Sequence, residues 1–80
     1  MAGRKRETTD DQILRAIALS PHPVVVASEL GDELDMSRQG VFVRLQDLET
    51  EGLVRSAKKA SARVWWLTEE GRISLSQGAE

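Results

Sequence analysis

Eighty residues, 40% of them hydrophobic, allow one small domain with a single core of modest stability. The absence of cysteine excludes disulfide staples and thiolate metal sites, and the single histidine, His22, has no carboxylates spaced to complete a zinc cluster. The formal net charge of -2 excludes a uniformly basic surface, yet the charge is polarised. Cations gather at Arg4, Lys5 and Arg6 and at Arg55, Lys58, Lys59 and Arg63; carboxylates gather at Glu29, Asp32, Glu33 and Asp35 and at Asp47, Glu49 and Glu51.

The basic opening MAGRKRE runs into TTDDQ rather than an apolar stretch, so no secretory leader is expected. No apolar run reaches membrane-spanning length, and the expectation is a soluble cytoplasmic protein without a membrane partner. Residues 1–8 read as a flexible basic arm. Thr9-Asp10-Asp11-Gln12 is a capping box, with both aspartates at the positive end of the helix dipole. Ile13, Leu14, Ile17 and Ala18 recur at helical spacing, which predicts a first helix to about Leu19. Ser20-Pro21-His22-Pro23 ends it, because proline cannot continue a helix and restricts the residue before it.

Val24-Val25-Val26 suits a strand of one to three residues added to a hairpin. A second helix follows from Ala27 or Ser28, with Leu30 and Leu34 inward. Gly31 within it signals close approach of another helix rather than a helix end. Asp35-Met36 makes a turn with Met36 inward, and Ser37 caps a third helix whose Val41, Leu45 and Leu48 form a buried stripe. Gly52 closes that helix at its C′ position, followed by Leu53. Leu53–Ser56 reads as a strand, Ala57–Ala62 as a turn, and Arg63–Leu67 as a strand with Trp65 and Leu67 on one face and Val64 and Trp66 on the other. Thr68-Glu69-Glu70 opens a short last helix carrying Ile73 and Leu75, which Gly71 weakens; residues 78–80 should fray.

Ile13, Leu14, Ile17, Leu30, Leu34, Val41, Leu45, Leu48, Leu53, Trp65 and Leu67 then bury together. The fold class is α+β: over residues 9–77, three core helices, a β-hairpin wing and a short C-terminal helix, which is a winged helix-turn-helix.

In such a module the start of the third helix approaches the major groove. Arg38 there matches guanine O6 and N7, and Gln39 matches adenine N6 and N7. Phe42 suits either a thymine methyl or packing at the wing base. Val43 suits the methyl, and Arg44 suits a phosphate or an acid on a neighbouring helix. Gly40 permits close approach to the second helix or to DNA. Lys58, Lys59 and Arg63 flank the wing turn as phosphate or minor-groove contacts, and Arg4, Lys5 and Arg6 suit a minor-groove arm. Trp66, opposite Trp65 in the strand, has no core of its own and marks an interface. No phosphate loop, catalytic constellation or cofactor site is present in the sequence, so neither an enzyme nor a cofactor is expected.

MSRQGVFVRLQDLETEGLV resembles the recognition-helix segment of MarR- and ArsR-type winged-helix repressors. VWWLTEEGR resembles their wing exit and last helix, and the doubled tryptophan is similar to small winged-helix regulators of haloarchaea. The likeness spans about residues 9–75. It implies a sequence-specific double-stranded DNA-binding regulator, a repressor, acting as a homodimer on a palindromic operator. Its DNA contacts would fall at Ser37, Arg38, Gln39, Phe42 and Val43, with Arg63 and the lysines near the wing. No small-molecule effector is evident. The haloarchaeal likeness would reconcile an acidic balance with a DNA-binding fold, since surface carboxylates aid solubility at high salt. The alternative is a protein-interaction winged helix that lacks DNA recognition, using the second-helix acids with Phe42, Val43 and Trp66.

Overall fold

A computed structural model describes residues 8–77 as α1 (Asp10–Leu19), α2 (Ala27–Leu34), α3 (Arg38–Thr50), β1 (Val54–Lys59), β2 (Ala62–Leu67) and α4 (Glu69–Gln77). α1 starts at the expected capping box: Thr9 Oγ1 accepts from the Gln12 amide at 3.2 Å, and Gln12 Oε1 accepts from the Thr9 amide at 2.8 Å. β1 and β2 pair antiparallel, with Val54 opposite Leu67 at the base and Lys59 opposite Ala62 at the tip. Val25 adds a single bridge to Trp65, its N–H donating to the Trp65 carbonyl at 2.9 Å and its carbonyl accepting in return at 2.8 Å. The apolar run after the proline turn thus extends the sheet by one residue.

The wing turn is tighter than the sequence suggests. The strands continue through Lys59 and from Ala62, leaving only Ala60 and Ser61 between them. Ala60 has φ 56°, whereas Ser61 does not enter the left-handed region. A positive φ at the first central position alone is the pattern of a II′ hairpin turn, where glycine is preferred.

Ile13, Leu14, Leu30, Val41, Leu45, Leu48, Val54 and Trp65 fill the core. Leu34 and Leu53, expected inside, are only partly buried against it, and Val25 and Val54 take core places instead. The strand begins one residue later than the sequence suggests, and alternation then turns Val54 inward. Gly31 does mark a close approach, but of the turn rather than of a helix body: a Cβ there would lie 2.7 Å from the Met36 carbonyl oxygen. Gly71 is buried, and a Cβ on it would collide with the Leu53 carbonyl. It lets α4 seat against the α3–β1 connection, so its role is packing as well as the expected weakening of the helix.

Candidate nucleic-acid interface

Ser37 fixes the start of α3 by accepting the Gly40 amide at 3.0 Å. Three faces then follow from the helical period. Val41, Leu45 and Leu48 are buried in the core. On the opposite side Gln39, Val43 and Gln46 stand exposed at i, i+4 and i+7, with Val43 45% accessible. Gln46, absent from the residues singled out in the sequence, shares this face; extending the spacing from Gln39 through Val43 by three residues reaches it. Along the flank toward the wing run Arg38, Phe42 and Glu49.

Phe42 takes the packing alternative. Its ring meets Trp65 edge-on at 5.8 Å and 79°, at the wing base. Arg44 takes its alternative as well: Nη2 donates to Asp10 Oδ1 of α1 at 2.6 Å, so its guanidinium is engaged with a neighbouring helix. Gly40 does not approach α2; the atoms closest to a Cβ there belong to the side chains of Ser37 and Met36.

The wing sorts its charges by face. Residues paired directly across an antiparallel ladder share a side, and so do residues two apart. Val54, Ser56 and Lys58 therefore lie with Leu67, Trp65 and Arg63 on the side that packs against α3, apolar at the base and cationic at the tip. Arg55 and Lys59 lie on the other side, with Val64 and Trp66. The adjacent lysines thus point to opposite faces, and only Lys58 accompanies Arg63. Trp65 is 1% exposed, and its buried indole N–H has no hydrogen-bond partner among the described residues, a cost of roughly 1–3 kcal/mol.

Between α3 and the wing lies an open cleft of about 450 Å³, bordered by Arg38, Gln39 and Phe42 on one wall and Arg63 and Trp65 on the other. Ser28 lies at its end, where α2 begins behind Val26 with no side-chain cap. Among the described residues no acidic side chain lines this cleft. The carboxylates of α3 sit at its far end, in Asp47, Glu49 and Glu51. Arg4, Lys5 and Arg6 lie outside the described residues.

Trp66 is partly buried rather than fully outward, and borders a shallow groove with Pro21, His22 and Arg72. The larger exposed apolar groups are Leu19, 74% accessible, and Ile73, 46% accessible. The sequence pattern sets Leu19 at the end of the first helix and Ile73 in the last one, and neither position by itself signals exposure.

A three-helix core with α2, a turn and α3 in succession, followed by a two-stranded wing, defines a winged helix-turn-helix protein. A sequence profile of the MarR family matches residues 12–63, well over half of the chain, and the protein belongs to that family. Its members are non-catalytic DNA-binding transcription regulators. The fold is similar to that of oxidized MarR from E. coli, with TM-score 0.74 and 19% identity over 84% of this chain and 48% of that one. It is also similar to a ZitR variant from Lactococcus lactis, with TM-score 0.75 and 21% identity over 96% and 53%. BldR from Sulfolobus solfataricus gives TM-score 0.73 and 21% identity over 85% and 49%. The chain thus spans about half the length of these structures. BldR is archaeal, but nothing among these relatives points to haloarchaea in particular. Comparison with curated proteins by sequence gave no significant match.

Proposed function

We propose that this chain is a cytoplasmic, sequence-specific double-stranded DNA-binding regulator that represses by occluding a promoter. Gln39, Val43 and Gln46 face the major groove, Arg38 works at the rim of the groove, and Lys58 and Arg63 hold the flanking backbone from the wing. Lys59 and Arg55 are secondary phosphate contacts on the outer face. Ser37 reaches DNA only at the cap, and Phe42 acts by holding the wing to α3 at the border of the cleft. Arg44 serves the α1–α3 contact. The Arg4-Lys5-Arg6 arm remains a minor-groove candidate on charge alone.

The observation that carries this reading is the charge order of α3. Helix stability favours acids in the first turn and bases in the last. α3 has neither: it opens on Arg38 and ends among Asp47, Glu49 and Glu51. Such an arrangement works against the helix's own dipole but places positive charge where a polyanion would sit, beside Arg63 across the cleft. A homodimer, with two copies of α3 on a palindrome, suits the fold. The exposed Leu19 and Ile73 are better candidates for its contact surface than Trp66. No effector site is assigned, because the cleft bordered by Arg38 and Arg63 lies between the two reading elements.

Fluorescence anisotropy against the upstream DNA of its own gene and a scrambled duplex, titrated in potassium chloride, tests the proposal. Preference for one duplex that persists as salt rises supports it. Equal, salt-sensitive binding reduces it to non-specific association. No binding at low salt transfers the function to a protein partner, with the exposed acids of α2 as the surface to probe.

A further inference from the structure

Resting on the DNA-binding reading, we infer that Glu49 and Ser56 are positioning residues that hold the wing arginine, Arg63, ready for a phosphate without neutralising it. Arg63 Nη1 donates to Ser56 Oγ at 3.0 Å. The Ser56 hydroxyl in turn donates to the Glu49 carboxylate, 3.1 Å from Oε2 and 3.3 Å from Oε1. The three side chains come from β2, β1 and the last turn of α3, so the strut ties the wing tip to the recognition helix.

Its chemistry is informative. The ion pairs within 4.0 Å among the described residues are Asp11–Arg15 and Asp10–Arg44; Arg63 makes none. A serine hydroxyl stands between the guanidinium and the carboxylate where direct contact would have cancelled the charge. The strut uses one guanidinium nitrogen, and the remaining N–H groups of the fork stay available for bidentate phosphate binding. A free arginine loses much rotamer freedom when it binds, so fixing it beforehand removes part of that cost. A second contact, Phe42 on Trp65, the cross-strand partner of Ser56, fastens the same flank of α3 to the wing. Together they set the distance between the major-groove helix and the backbone contact.

The test uses a labelled duplex selected on the wild-type protein from a random pool. Ser56→Ala changes no charge; it is expected to weaken binding roughly three- to tenfold, the size of ordering one long side chain. Ser56→Thr, which keeps the hydroxyl, is expected to restore it. In an Arg63→Ala background Ser56→Ala should cost nothing further, since the residue it positions is gone. Glu49→Ala gives a test of sign: loss of a strut weakens binding, whereas loss of a mere surface anion tightens it. In the free protein, side-chain 15N relaxation should show the Arg63 guanidinium restricted in the wild type and released by Ser56→Ala. An equal Ser56→Ala loss in both backgrounds, tighter binding by Glu49→Ala, or an Arg63 side chain already mobile in the wild type each overturns the strut while leaving DNA binding intact. Failure of the wild-type protein to bind any duplex at low salt overturns the DNA reading itself.

Discussion

The unit formed by α3 and the wing has an anchored end and an open end, and the two are built differently. At the anchored end Leu48 is fully buried, and Val54 and Leu67 close the hairpin base. At the open end Arg38, Gln39 and Val43 project from α3, and Lys58 and Arg63 project from the wing tip, with little packed around them. On the proposed reading, stability is therefore concentrated in one half of this unit and recognition in the other. A substitution should disturb one property or the other, seldom both.

The largest expected effect breaks the anchored end. Leu48→Ala should cost about 2–5 kcal/mol of folding free energy, read by chemical denaturation, because it empties a fully buried site. A loss confined to DNA affinity would contradict the division. At the open end, Arg38→Ala should leave unfolding nearly unchanged, or slightly favour the helix. It should weaken binding to the preferred duplex by about 1–3 kcal/mol and binding to a scrambled one by less, measured by anisotropy. Lys58→Ala should weaken all sequences alike and reduce the salt slope by roughly one, with a smaller change for Lys59→Ala on the outer face. Ala60→Gly relieves a left-handed alanine at the tip and should raise stability by up to about 1 kcal/mol, seen in thermal melts, with sequence preference unaltered. The smallest effect is expected from Asp47→Asn. Removing one exposed carboxylate near the C-terminal end of α3 should stabilise the helix by a few tenths of a kcal/mol and tighten binding to every duplex slightly.

The same contrast explains what the amino-acid sequence made legible. Helix limits followed from local chemistry that leaves plain marks: the Thr9–Gln12 box, the Ser37 cap and the Gly52 stop, whose φ is 83°. The inward stripe of α3 followed from period alone. The length of the wing turn did not, because Ala57 to Ala62 contains no glycine or asparagine to mark a two-residue hairpin, and the tip instead strains an alanine. Gly71 reads locally as a weak point in a helix, because its fit against the Leu53 carbonyl depends on how α4 packs. Arg44 had two plausible partners in sequence, and only the approach of α1 brings Asp10 to it. The Glu49–Ser56–Arg63 chain joins residues seven apart twice over, a spacing with no local signature. Trp66 was correctly placed opposite Trp65, but the groove beside the proline turn leaves it only half exposed.

Where the wing leaves and rejoins the helical body, its two ends are buckled together. The Thr68 amide donates to the Leu53 carbonyl at 3.1 Å and its hydroxyl to the Gly52 carbonyl at 2.7 Å, while Gly71 lies against the same stretch of backbone. None of these contacts involves the outer half of the hairpin. Evolution can therefore lengthen or shorten the finger by matched residue pairs, which preserve the alternation of faces, without reopening the core. On the proposed reading, reach along the DNA is then set by the length of the hairpin alone, over an unchanged body.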